Sequence, residues 1–208
     1  MVGCCKMVNF TQTIKDMYGV DKLPKIPGEM YLNDKLPKYK DEKELATLCK
    51  ESQSWPLDEQ LKFASQMGSL ALVKYLVEQG ADIHAGNDWA LGSAADEGHL
   101  EVVKYLVEQG ADIHAQNDYA LGWAAWKGHV EVVKYLVQNG ANIHAGGDHA
   151  LIWAAKNGHL EVVKYLVEQG ADIHANSDEP VVLAAEHGHY EVVKYLVEQG
   201  TDIDGALV

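Results

Sequence analysis

The sequence predicts an all-α solenoid, and three observations carry that prediction. The string Val-Val-Lys-Tyr-Leu-Val-Glu-Gln-Gly-Ala-Asp-Ile-His-Ala stands at 102–115 and returns unchanged at 162–175, with varied copies starting at Leu72, Val132 and Val192. These starts differ by 30 residues, which divides the chain into five units at 57–86, 87–116, 117–146, 147–176 and 177–206. Inside each unit apolar residues recur at helical spacing, and glycine ends each run. A period in this range is the signature of stacked repeats, each too small to bury its apolar face without a neighbour.

Each unit reads as two short antiparallel helices. In the second unit Asp88 is the expected N-cap, Leu91, Ala94 and Ala95 form the inward stripe of a first helix, and Gly98 stops it. A second helix from about His99 to Gln109 turns Val102, Val103, Leu106 and Val107 inward and Glu101, Lys104 and Glu108 outward, with Gly110 as its left-handed stop. Alanine pairs on one helix and larger aliphatics on the other make layers of unequal thickness, which curve the stack. Tyr75, Tyr105, Tyr135, Tyr165 and Tyr195 recur at one place on the second helix and read as scaffold.

Residues 1–56 are of another kind. Pro24, Pro27 and Pro37 mark loop, and Asp41 to Ser52 is helix-like. The segment carries nine Lys and eight acids, whereas the repeats hold a charge of -15 out of the chain's -14. It is read as an irregular or helical cap over the first repeat.

The whole chain is 47% hydrophobic and contains no Arg, all 17 basic residues being Lys. An acidic chain without guanidinium forks is a poor nucleic-acid binder and favours a protein partner with a basic surface. No apolar run approaches the ~18 residues of a membrane span, and no secretory leader is recognised at the start, so the expected location is cytoplasmic. Cys4, Cys5 and Cys49 are too few to staple a chain of this size.

Ala94-Ala95-x-x-Gly98-His99-Leu100-Glu101-Val102-Val103, followed by Gly110-Ala111-Asp112-Ile113-His114-Ala115, resembles the ankyrin repeat, in register five times over 57–206. Two departures stand out. The family's Thr-Pro-Leu-His opening is here Trp89-Ala90-Leu91-Gly92 and its counterparts, and the period is 30 where the family's is ~33. The missing residues fall between Ala115 and Tyr119, where the family carries its β-hairpin finger, so shortened, tight turns are expected. The short unit and its Ile-His-Ala ending are most similar to ankyrin proteins of giant DNA viruses, which implies action in a host cytoplasm. The resemblance also implies that His99, His129, His159 and His189 tie loops to backbone. It implies too that His84, His114, His144 and His174 stand where Asn/His hydroxylases modify ankyrin repeats. The order of Leu23-Pro24, Ile26-Pro27 and Glu44-Leu45 faintly resembles an F-box, which in such proteins recruits a ubiquitin ligase.

Chemistry has little to rest on. Eight His are spaced by 15 residues, but helices of adjacent units lie about 8–10 Å apart whereas a zinc ligand sits about 2 Å from its metal, so no metal site is expected. Phosphate loops, nucleophile elbows and His-Glu-x-x-His are missing, so neither enzymatic activity nor a cofactor is expected.

What varies between units is more informative than what repeats. On the first helix the stripe opposite Leu91, Ala94 and Ala95 holds Trp89, Tyr119 and His149; then Trp123 and Trp153; then Trp126 and Lys156, with Lys127 and Asn157 beside them. Four of the chain's five Trp fall in this set. In the family this face lines the concave groove that grips partners, and Trp dominates binding hot spots. An alternative stays open, that the Trp fill space between first helices opened by Gly92 and Gly122. The expected function is a non-enzymatic protein-binding module. A ubiquitin-ligase substrate adaptor and a structural or hydroxylase-decoy role are its alternatives. The fifth unit lacks a polar rewriting of its outer face, so weak self-association through it is expected, unless Leu207 and Val208 fold back to cover it.

Overall fold

The computed structural model describes residues 56–201, in which ten helices and no strand occur. In chain order they are α1 (Leu57–Gln66), α2 (Leu70–Glu78), α3 (Ala85–Asp96), α4 (Leu100–Glu108), α5 (Ala115–Lys127), α6 (Val130–Gln138), α7 (His149–Lys156), α8 (Leu160–Glu168), α9 (Ala175–Glu186) and α10 (Tyr190–Gln199). Odd-numbered helices form one layer and even-numbered helices the other. The cap reading, the F-box-like order, Cys4, Cys5 and Cys49 all fall outside the described residues, as do Leu207 and Val208. At the C-terminal end Tyr190 and Val197 are exposed.

Leucine at 15-residue intervals builds the core. Leu61, Leu76, Leu91, Leu106, Leu121, Leu136, Leu151, Leu166 and Leu196 are buried, with buried Val181 in the remaining place. The two layers differ as their side chains dictate. Ala94, Ala95, Ala124, Ala125, Ala154 and Ala155 are fully buried and let successive odd helices stack along much of their length, whereas even helices meet their neighbours sparingly. Half-buried Tyr105, Tyr135, Tyr165 and Tyr195 lie on that wider side, and burial pushes each phenol above its usual pKa. Close stacking in one layer and spacing in the other place the odd helices on the inside of the curve.

The shortened turns have an unexpected form. α3 opens with three left-handed residues, Gly86 (φ 63°), Asn87 (φ 58°) and Asp88 (φ 58°), and the same triplet recurs at 116–118, 146–148 and 176–178. Such φ values cost an L-residue roughly 1–2 kcal/mol, least for Asn and Asp. Gly, Asn and Asp accordingly fill most of these positions, with Gln116 and Ser177 as exceptions.

The expected N-cap role of Asp88 is therefore corrected. Its backbone is left-handed, and its counterpart Asp148, likewise left-handed, makes no side-chain capping bond to the helix it precedes. Instead Asp88 Oδ1 accepts the backbone N–H of Asp112 in the next turn at 2.8 Å and the His84 Nδ1–H at 3.0 Å. Asp118 repeats this with Asn142 N–H and His114, and Asp148 with Asp172 N–H and His144. Asp58 takes the Asp82 N–H at 2.7 Å in the first turn. Each turn is closed further by its own acid or amide, as when Asp82 Oδ1 accepts the His84 N–H at 2.9 Å.

A second link runs on the other side of each unit. His99 Nε2 donates to the Gln66 carbonyl, His129 to Asp96 and His159 to Trp126, at 2.7–2.9 Å, so each ring caps the preceding odd helix. The loops that the histidines tie down thus belong to the neighbouring repeat. Close approach explains the partner glycines: a Cβ on Gly128, already at φ 79°, would meet the His159 ring.

Asp118 is 6% exposed with two donors, whereas Asp178 is 33% exposed and, among the described residues, accepts from His174. Asp118→Ala should therefore cost about 2–3 kcal/mol, since two hydrogen bonds to a buried charged acceptor are lost, and Asp178→Ala, at a more exposed carboxylate, less than about 1 kcal/mol. Urea midpoints for the two variants check this ordering.

Candidate functional site

The variable stripe of the odd helices is brought together as an aromatic row. On α5, Trp123 and Trp126 stand one helical turn apart with ring centroids at 5.0 Å and planes at 20°. Tyr119 lies 5.7 Å from Trp123 and 6.0 Å from Trp153 of α7. Trp153 is also 6.0 Å from Trp126 and stacks on His149 at 5.2 Å. Trp89 of α3 stands at the N-terminal side, with Lys62 Nζ of α1 held 4.0 Å over its ring. Each such pair adds about 0.5–1.5 kcal/mol beyond area burial, so the row is partly self-supporting.

The two readings of the tryptophans divide by residue. Trp153 is half-buried and its ring comes within 2.8 Å of where a Gly122 Cβ would stand, which is the space-filling role. Trp89, Tyr119 and Trp126 are 44%, 42% and 40% exposed, well beyond what packing requires. Trp123 is half-buried but does not fill the space at Gly92, its ring stacking on Trp126 instead.

The remaining predicted positions are placed as follows. Lys156 is exposed. Lys127 Nζ lies 3.9 Å from Asp96 Oδ1. Asn157 is occupied locally, its amide donating to the Trp153 carbonyl at 2.8 Å and closing the end of α7. His84, His114, His144 and His174 are exposed at the turns, each with Nδ1 engaged by the aspartate of its own turn.

A family model for ankyrin repeats, three copies long, matches residues 61–146 and again 121–205. The chain belongs to the ankyrin-repeat family. No curated protein matches it in sequence. Ankyrin repeats are protein–protein interaction modules, and the aromatic row occupies the inner layer of this ankyrin stack. Among the described residues no helix is long and apolar enough to cross a membrane, and no cluster of metal-ligating side chains occurs.

The ankyrin stack also forms a cavity of about 350 Å³ between α1, α3 and α5, walled by Trp89, Tyr119 and Trp123 and floored by Gly92, with Lys62 and Asp96 among its other lining residues. Sequence reasoning missed the part played by Lys62 and Asp96. Lys62 stands one period before Gly92, and extending the comparison of variable positions back into the first unit would have found it. Asp96 was visible as a variable position, but its burial was not. Desolvation pushes its carboxyl above the usual value, opposed by Lys127 and reinforced by Glu97. The charged form is thus the disfavoured one in the folded chain, so this group weakens the fold as pH rises above the ordinary carboxylate range.

The two mid-helix glycines should respond oppositely to alanine. Gly122→Ala drives a methyl into the Trp153 ring and should destabilise by about 1–3 kcal/mol. At Gly92 nothing lies within 4 Å of an added Cβ, so Gly92→Ala should stabilise by up to about 1 kcal/mol through helix propensity. Thermal unfolding of both variants checks the pair.

Proposed function

We propose that the chain is a protein-binding ankyrin module that grips a partner with a basic surface along its odd helices, centred on Trp89, Tyr119, Trp123 and Trp126. The observation that carries this reading is the exposure of three large aromatic rings in a row that has neighbours available to bury them. Aromatic anchors in a shaped depression are the usual hot spots of interfaces, often ~2 kcal/mol or more apiece on truncation. Glu179 and Glu186 continue the stripe on α9, and the net charge of -14 favours a cationic partner surface.

Capture from a cell extract tests the reading with wild-type chain, Trp123→Ala/Trp126→Ala, and Lys134→Ala on the opposite layer as control. A partner retained by wild type and control should be lost by at least about tenfold with the double variant, whose unfolding stays cooperative. Association with that partner should slow between low and physiological salt while dissociation changes little. Loss of cooperative unfolding in the double variant would make the tryptophans core, and unchanged capture would move the contact elsewhere.

A further inference from the structure

Residues 31 apart in sequence share one register on successive odd helices, and the contact of Trp153 with the Cβ position of Gly122 is one such pair. Along the stack the pairs are Lys62 with Ser93, Gly92 with Trp123, Gly122 with Trp153 and Ile152 with Leu183. Glycine stands only where its partner is tryptophan. A glycine inside a helix is costly relative to alanine, so each of the two is expected to make room for a ring. Gly122 does so, the Trp153 ring lying 2.8 Å from its Cβ position. At Gly92 nothing comes within 4 Å, and a recess of about 350 Å³ stands there.

The two tryptophans differ in what flanks them on their own helices. Trp123 has Trp126 three residues on, at 5.0 Å and 20° between planes, and Tyr119 four residues back, tilted by 44° at 5.7 Å. Trp153 has Lys156 three residues on, and stacks on His149 four residues back, at 5.2 Å and 11°. The same side chain in equivalent places thus takes two arrangements. It lies against the following ring and leaves its glycine bare, or it lies against the preceding ring and covers it. Room for the second arrangement exists at Gly92, since a cavity of roughly 150 Å³ already accepts a benzene ring. Each arrangement gains an aromatic contact of similar worth, so the presence of the Trp126 ring decides between them.

We propose that Trp123 is a two-position switch, resting on Trp126 with the recess open and seating over Gly92 when Trp126 is drawn away. Seating fills the recess and leaves Trp126 as a lone exposed ring. A contact that engages the inner face of Trp126 therefore closes the recess, and one that occupies the recess keeps the two indoles stacked. The cost of a mid-helix glycine at 92, unexplained in the open arrangement, is accounted for by the closed one. The switch is a property of the chain alone and does not depend on what the row binds.

Nuclear Overhauser contacts in the full chain read the ring positions, with the wild-type contact between Gly122 Hα and the Trp153 ring as the standard for a covered glycine. Between Gly92 Hα and the Trp123 ring the wild type should show no comparable contact. Trp126→Lys, which copies the residue of the next repeat, should make it appear at a strength comparable to the standard. Thermal unfolding gives a second readout. Gly92→Ala should raise Tm in the wild type, and should lower it in the Trp126→Lys background, where the added methyl meets the seated ring. Trp126→Ala removes the same stacking partner and should reproduce both results if the lysine upsets the fold. A folded Trp126 variant with no contact between Gly92 and Trp123, a full-strength contact already in the wild type, or Gly92→Ala raising Tm equally in both backgrounds would each overturn the switch. Partner capture enters none of these readouts, so the switch and the protein-binding reading fail separately.

Discussion

Everything in this fold hangs on one carboxylate per repeat. An aspartate at 58, 88, 118 and 148 reaches across to the backbone N–H of residue 82, 112, 142 and 172, so each turn is tied to the next by a hydrogen bond of 2.7–2.9 Å. The same oxygen of Asp88, Asp118 and Asp148 holds a histidine of its own turn. These links let the chain reverse through three left-handed residues, a conformation that few sequences adopt unaided. A family member that has lost its finger thus keeps a rigid spacing between repeats by polar bonding at the turn.

That spacing governs the functional face. Odd helices held in register by buried alanine pairs present their variable stripe as a continuous row, and residues that are distant in sequence, Lys62, Asp96 and Trp123, border one recess. The histidine links add a second constraint from the other end of the odd helices, fixing where Gln66, Asp96 and Trp126 stop. With both ends pinned, small differences in side-chain choice have large local effects. Trp126 in place of a lysine gives Trp123 a stacking partner, and a cavity opens.

The architecture was legible because its cause is periodic. A 30-residue repeat, alanine pairs and terminal glycines dictate stacked helix pairs regardless of detail, and the Trp row was read from divergence at fixed positions. Three things were hidden. Asp88 before an apolar helical run looks like an N-cap, and only the left-handed φ of 58° shows that its carboxylate faces the neighbouring turn. The different fates of Trp123 and Trp153 depend on ring stacking across 5–6 Å, which no linear pattern encodes. Asn157, placed in the groove by its position, is instead occupied in closing the end of α7, a local bond that competes with presentation to a partner.

Amide hydrogen exchange at residue 142 tests the staple most directly. Asn142 sits in a turn and is itself exposed, so without the link its N–H should exchange as fast as other turn amides. The account predicts protection at Asp112, Asn142 and Asp172 close to that of the buried helices, and selective loss at Asn142 in Asp118→Ala with the other two unchanged. Fast exchange at all three in the wild-type chain, or unaltered protection at Asn142 in the variant, would contradict it.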